Sequence, residues 1–463
     1  MAAAAVARWW AALVFLTVAL NGGESVARYL RWEEVQETVA LYADSGLPGA
    51  AIQDGSAWNE WIRTRDAEVR MRVDRGIEDS ISNFILYGTS FTRLPRVASV
   101  EYATSESGEL TPATEARLHA LALALVVQAA SQAPNPPANE RVRFVSDFLV
   151  RKGIAKEAVD GYLAANLQRL VAEQAAYQKK LKEADGAADS TAVLQARGTL
   201  FETRGLSADA SLLPNFALEE ALRAMVRKGV LPAGSMKRIA IIGPGLDFAD
   251  KRAGYDFYPL QTMQPFAVWE AVARLGLGKV EDVQVSCLDL NDAVIAHIKK
   301  LAGQGRAGRA YTIQLARDPK ADWSEPAVAY WNHFGELLGT PVKPLPAPAA
   351  LGGVVARAVA IRPALAAHVQ VYDANVVAQT FDFAAGQGFD LVIATNVLVY
   401  YDHFQQALAL ANIARLLNAG GIFLCNNVLP AQHVNELEYL GRRSMAYTPS
   451  GAYGDDVVVY RKR

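Results

Sequence analysis

The run "RIAIIGPGLDFADK", Arg238 to Lys251, constrains this chain more than any other stretch. Ile239 to Ile242 lead straight into Gly243-Pro244-Gly245. An apolar run of this kind reads as a strand buried on both faces, and glycine lets the backbone turn closely around a ligand. Alternation follows downstream. "DVQVSCLDLN" is a strand ending at Asp289, and "DAVIAHIKKLAG" is a helix. "AHVQVYDANVV" and "FDLVIATNVLVYY" are strands, and "FQQALALANIARLLNAGG" is a helix stopped by Gly420-Gly421. "IFLCNNV" and "DDVVVYRKR" are the last strands. Apolar strands alternating with amphipathic helices predict an α/β fold: a mostly parallel, Rossmann-like sheet with helices on both faces.

The turn itself excludes two ligands. A dinucleotide fold wants Gly-x-Gly-x-x-Gly, and the sixth position here is Phe248. A phenylalanine there keeps the helix away from a pyrophosphate, which argues against NAD. The phosphate loop Gly-x-x-x-x-Gly-Lys-Ser/Thr is absent.

Flanking segments are less informative. Asn215 is expected to cap the helix in "LPNFALEEALRAMVRKG", which Gly229 stops. Residues from about 301 to 365 are too long for an ordinary crossover and read as an insertion. Trp323, Tyr330, Trp331 and Phe334 are expected to pack it down rather than line a pocket. Residues 28–205 read as a mostly helical domain, broken by the Pro-rich "APNPPANE", with no motif that names a role. The α/β region then spans 206–463.

The chain has 463 residues and a net charge of −2, so nothing electrostatic favours nucleic acid. Cys287 and Cys425 sit in apolar runs and read as packing residues, and the six histidines have no metal-binding spacing, so no metal is expected. Residues 1–27 carry an apolar core from Trp9 to Leu20, which suits a signal peptide or an uncleaved anchor. Export or membrane association through residues 9–20 is therefore expected over a cytoplasmic address, with a plain N-terminal helix as the competing reading.

A ligand without phosphates suits the turn better. An acid at the end of the second strand can accept hydrogen bonds from both ribose hydroxyls, and Asp289 stands there. Taken in order, the glycine turn, the strand-end acid, "VYDA", "FDLVIATNVLVYYD" and "LLNAGGIFL" resemble the class I S-adenosylmethionine-dependent methyltransferases over roughly Leu212 to Arg463. The resemblance implies S-adenosylmethionine as cofactor. It places Gly243 and Gly245 against the methionine part, Asp289 at the ribose, Asp373 with Ala374 at the adenine, and Asn396 near the cofactor. It also departs from the family. The acid usual two residues before the first glycine is Ile241, and the usual third glycine is Asp247. Asp247 either receives the cofactor's amino group from the far side of the turn or caps the next helix.

The implied reaction is methyl transfer to an acceptor the sequence does not name. His403 and Asp402 are the candidate bases, with helix capping as their alternative role. Tyr400 and Tyr401 are expected to wall the substrate pocket. Arg204 would either pair with the cofactor carboxylate or bond helix carbonyls at the junction. The Asn-Pro-Pro-Tyr motif of amino-methylating enzymes is absent, which ranks nucleic-acid bases low as acceptors. A non-catalytic protein that kept the fold, and another nucleoside-using enzyme such as an aminopropyl transferase, are the alternatives.

Overall fold

The computed structural model describes residues 26–42, 52–130, 139–185, 204–249, 255–430 and 434–463. The apolar run Trp9 to Leu20 lies outside them. No helix of the described residues is long and apolar enough to cross a membrane.

Among the described residues five helices come first: α1 (Trp32–Ala40), α2 (Gly55–Tyr87), α3 (Pro112–Ala130), α4 (Glu140–Arg151) and α5 (Val159–Asp185). Asp54 starts α2 by accepting the Ser56 and Ala57 N–H groups at 2.8 and 2.9 Å, satisfying donors the helix leaves open. Then follow α6 (Leu213–Arg227), β1 (Arg238–Ile242), α7 (Gln264–Arg274), β2 (Gln284–Asp289) and α8 (Asp292–Arg306). After α9 (Glu325–His333) and α10 (Pro363–His368) come β3 (Gln370–Asp373) and β4 (Phe389–Ala394). Helix α11 (His403–Leu416) precedes β5 (Leu417–Cys425), β6 (Leu437–Ala446) and β7 (Gly454–Lys462).

These seven strands form one sheet in the order β6-β7-β5-β4-β1-β2-β3. The pairs from β5 through β3 are parallel, and β7 runs antiparallel between β5 and β6. The chain builds outward from β1 to β3, then returns to β4 on the other side of β1. That reversal opens a crevice at the carboxyl ends of β1 and β4, where such sheets bind ligands.

Alternation along β1 explains the layering. Ile239 and Ile241 face a core shared with α6, α7 and α8, while Ala240 and Ile242 face one shared with α11. Each fully buried large side chain, such as Phe266 on one face or Phe404 on the other, contributes roughly 1.5–3 kcal/mol. The second face is completed by the helices before residue 205, since Val35, Trp58, Ile62 and Val69 share its core with Phe404 and Phe423. The far end of α2 packs instead with α3, α4 and α5 and with Phe248 just past the glycine turn. Buried Arg141 of α4 donates to the carbonyls of Asp247, Phe248, Asp256 and Tyr258, holding the loop after the turn.

Three details differ from the sequence reading. Pro214 enters α6 at its second position, so Asn215 lies inside the helix rather than at its cap. The helix α11 ends at Leu416, before the two glycines, and β5 begins at once with an irregular register between Leu417 and Ile422. The region between α8 and α10 holds its own antiparallel sheet, with Val355–Ile361 between Tyr311–Arg317 and Gly339–Val342. Tyr330, Trp331 and Phe334 are buried in the core below it.

Candidate functional site

The crevice holds a cavity of about 310 Å³, within the size range of ligand pockets. Its floor is the turn after β1. Gly243 and Gly245 have φ of 66° and 67°, a region that side chains disfavour. Each also abuts a wall: a Cβ on Gly243 would meet Val397 Cγ2 at 2.6 Å, and one on Gly245 would meet the Ala208 carbonyl oxygen at 2.6 Å. Asn396, at the end of β4, has φ of 56° and lines the cavity. It is the one non-glycine residue with positive φ among the described residues, a strain that collects at functional sites.

Asp289 lines the cavity from the end of β2. Its Oδ1 accepts the Asn291 N–H at 2.8 Å. Burial pushes its carboxyl up to about 7, against the opposing pull of N–H groups from Asn291, Leu290 and Gly245. Beside it, Ala374 lines the cavity and its N–H donates to the Asp289 carbonyl at 3.1 Å. Tyr400 and Tyr401 complete this side.

The opposite wall is the segment joining the helices to the sheet, Leu206 to Ser211, with Pro214, Asn215 and Val73 of α2. Backbone bonds hold it down. Leu246 N–H donates to Ala208 at 2.7 Å, Ala210 N–H to Leu246 at 2.8 Å, and Leu206 N–H to Arg72 at 3.1 Å.

Two buried amides in the cavity wall carry atoms with no protein partner: Asn215 Oδ1 and Asn291 Nδ2. Both residues are only 4% exposed. A buried polar atom left unpaired costs about 1–3 kcal/mol, and here one acceptor and one donor are left so on residues that line the cavity. Neither role was read from the sequence, where both asparagines look like helix caps. Asn291 does cap α8, through the Ala293 N–H at 2.9 Å.

Several residues singled out from the sequence stand elsewhere. Asp373 does not line the cavity, because Arg70 of α2 takes its carboxylate at 2.8 Å. Asp247 faces away from the crevice into a second cavity, where its Oδ2 accepts from Tyr258 and Gln261 at 2.9 and 3.0 Å. It therefore does not stand in for the acid missing at Ile241, itself fully buried in the core. Arg204 lies 3.9 Å from Glu173, and its carbonyl accepts from Arg72, away from the cavity. Asp402 caps α11, accepting the Gln405 N–H at 2.7 Å while Gln405 reaches back to its N–H at 3.2 Å. His403 is the first residue of that helix, and neither lines the cavity. Asp402→Ala is accordingly expected to lower stability by about 1 kcal/mol, the worth of a cap, and to leave ligand affinity within twofold. Denaturant titration and calorimetry check the two parts, and an affinity loss above tenfold would restore Asp402 to the site. Among the described residues, no group of three or more His, Cys, Asp or Glu is placed to hold a metal ion.

Comparison with known proteins adds to this geometry. The solved N-methyltransferase NodS of Bradyrhizobium japonicum WM9 is 13% identical, covering 53% of this chain and 97% of its own, at a TM-score of 0.25. The magnesium protoporphyrin IX methyltransferase of Synechocystis PCC 6803, solved with S-adenosylhomocysteine, is 9% identical over 62% of this chain and 94% of its own, at 0.27. Values this low assign no residue, so the placement of groups around the cavity rests on the distances above. No family model matches the chain. A carnitinyl-CoA dehydratase of Salmonella arizonae is 32% identical over 79 residues, and the match covers 17% of this chain and 30% of that protein's length.

Proposed function

We propose that the chain is an S-adenosylmethionine-dependent methyltransferase. One observation carries the reading: a single cavity at the β1/β4 reversal is lined by the glycine turn, Asp289, Asn215 and Asn291, and both asparagines carry an amide atom without a protein partner. Among the described residues, no lysine or arginine lines the cavity, so a phosphate there would meet no cationic side chain. The cavity suits a nucleoside with polar, zwitterionic ends.

S-adenosylmethionine, when bound, supplies a methyl group on a sulfonium whose sulfur leaves as a neutral thioether. The chain's own residues do the rest. Asp289 would accept from ribose hydroxyls, with Asn291 Nδ2 as a neighbouring donor. Asn215 Oδ1 would accept from the ligand's amino group, taking the part that an acid at Ile241 cannot play from inside the core. Leu206 to Ser211 would cover the site and exclude water, which strengthens these contacts.

Calorimetric titration of the full chain with S-adenosylmethionine, S-adenosylhomocysteine and NAD tests the proposal. The first two are expected to bind and NAD to show no heat. Asn215→Leu, which removes the unpaired oxygen and keeps the branched shape, should weaken both by about 1–3 kcal/mol, while loss of the Asn215 Nδ2 bond to the Ser211 carbonyl lowers the stability of the ligand-free chain by no more than about 1 kcal/mol. Absence of binding by either sulfur nucleoside sinks the reading.

A further inference from the structure

A second and larger cavity, about 780 Å³, lies between the inserted sheet and the joining segment. Asp209, Ala210 and Ser211 line both cavities, so the two adjoin through one stretch of backbone. The second is walled largely by aromatic and apolar groups, among them Tyr255, Met263, Leu315, Trp323 and Tyr453.

One cation in it stands out. Arg317 ends the inserted strand Tyr311–Arg317 and lines the cavity. Its guanidinium carbon lies 5.3 Å from the Trp331 ring centre and 6.0 Å from that of Trp323, so two rings fix its place. Its Nε is buried and has no hydrogen-bond partner. Among the described residues, three of the four acids lining the cavity accept hydrogen bonds, Asp209 from Ser80 among them. Asp247 accepts from Tyr258 and Gln261, and Asp318 accepts the Lys320 N–H. A fixed guanidinium with an open fork is built to receive a planar anion.

We propose that this cavity binds the methyl acceptor, and that the acceptor is a small aromatic or apolar molecule bearing one carboxylate, which Arg317 holds. This rests on the methyltransferase reading for the word acceptor, though not for the binding itself. A single carboxylate fits better than a phosphate. Asp209, Asp247, Asp318 and Asp322 share the cavity with Arg317 and Arg96, and they would oppose a second negative charge.

The probes are naphthalene-2-carboxylate and its uncharged amide, naphthalene-2-carboxamide, titrated calorimetrically into the full chain. The carboxylate is expected to bind at least tenfold more tightly than the amide. Arg317→Met should abolish that preference, keep the amide affinity, and leave S-adenosylhomocysteine binding unchanged. Arg317→Lys, which keeps the charge without the fork, should retain a weakened preference, so the result stays readable if the methionine variant does not fold. Equal affinity for the two probes, no binding of either, or a preference that survives in Arg317→Met overturns the proposal. Carboxylate preference without any sulfur-nucleoside binding would leave the cavity standing and remove methyl transfer. The reverse pattern would remove the cavity alone.

Discussion

Gly76→Ala is expected to destabilise the chain by about 1–3 kcal/mol and to weaken S-adenosylhomocysteine binding by at least tenfold. Both signs oppose the intrinsic preference. Alanine in a helix interior is favoured over glycine by roughly 0.5–1 kcal/mol. Gly76 lies within α2, however, and a Cβ there would overlap the Leu206 carbonyl. Gly205 makes the reciprocal approach to the Gly76 N–H and the Arg75 carbonyl. Backbone meets backbone, so no side chain can swing aside, and overpacking of this kind costs about 1–3 kcal/mol beyond the lost propensity gain. Relief requires the joining segment to lift. That breaks the Leu206–Arg72 bond and loosens the Ala208–Leu246–Ala210 bonds, which hold the wall of the cavity. Gly303→Ala in α8 is the control, because its nearest neighbour is Arg306 Nη2 at 3.9 Å. It should be neutral or stabilising by up to about 1 kcal/mol. Denaturant titration and calorimetry on both variants decide it. If Gly76→Ala matches the control in stability and affinity, the clamp between α2 and the joining segment is not what shapes the site.

That clamp also shows where sequence pattern stops informing. The sheet is legible because β1, β4 and the second half of β5 are nearly continuous apolar runs, as strands covered on both faces must be. The glycine turn and Asp289 are legible because chemistry requires those residue types at those places. Strand β6 is not legible, since it lies at an edge and breaks alternation with Glu438, Gly441 and the pair Arg442-Arg443. Residues 206 to 211 carry no motif at all. Their place over the crevice comes from backbone bonds to Leu246 and Arg72, which any side chains could make. Asp373 shows the opposite error. Its position matches the resemblance, yet Arg70, remote in sequence, takes its carboxylate. The helices before residue 205 thus bear on the site through contacts that a strand-by-strand reading cannot reveal.

Binding of S-adenosylhomocysteine is expected to strengthen as pH rises from 5.5 to 8, levelling off above about 7. Asp289 sets the expectation, because burial raises its carboxyl to about 7 in the ligand-free chain. Only the ionised carboxylate accepts from two hydroxyls at once, so a protonated Asp289 must lose its proton before it binds. One pH unit below that value, about nine-tenths of the chains are protonated, and apparent affinity falls about tenfold. Stability has the opposite sign. The folded chain holds this proton up to about 7, whereas an unfolded aspartate releases it near 3.9. Between those values the unfolded state binds fewer protons, so raising the pH lowers the stability contributed by this group. Asp289→Asn removes both effects. It should flatten the affinity profile, weaken binding at pH 8 by about 1–3 kcal/mol, and make the ligand-free chain more stable than wild type at pH 8. A residue that merely packs would lose stability on substitution, so the joint gain of stability and loss of affinity distinguishes a ligand role. A pH profile unchanged by Asp289→Asn would remove Asp289 from the binding site.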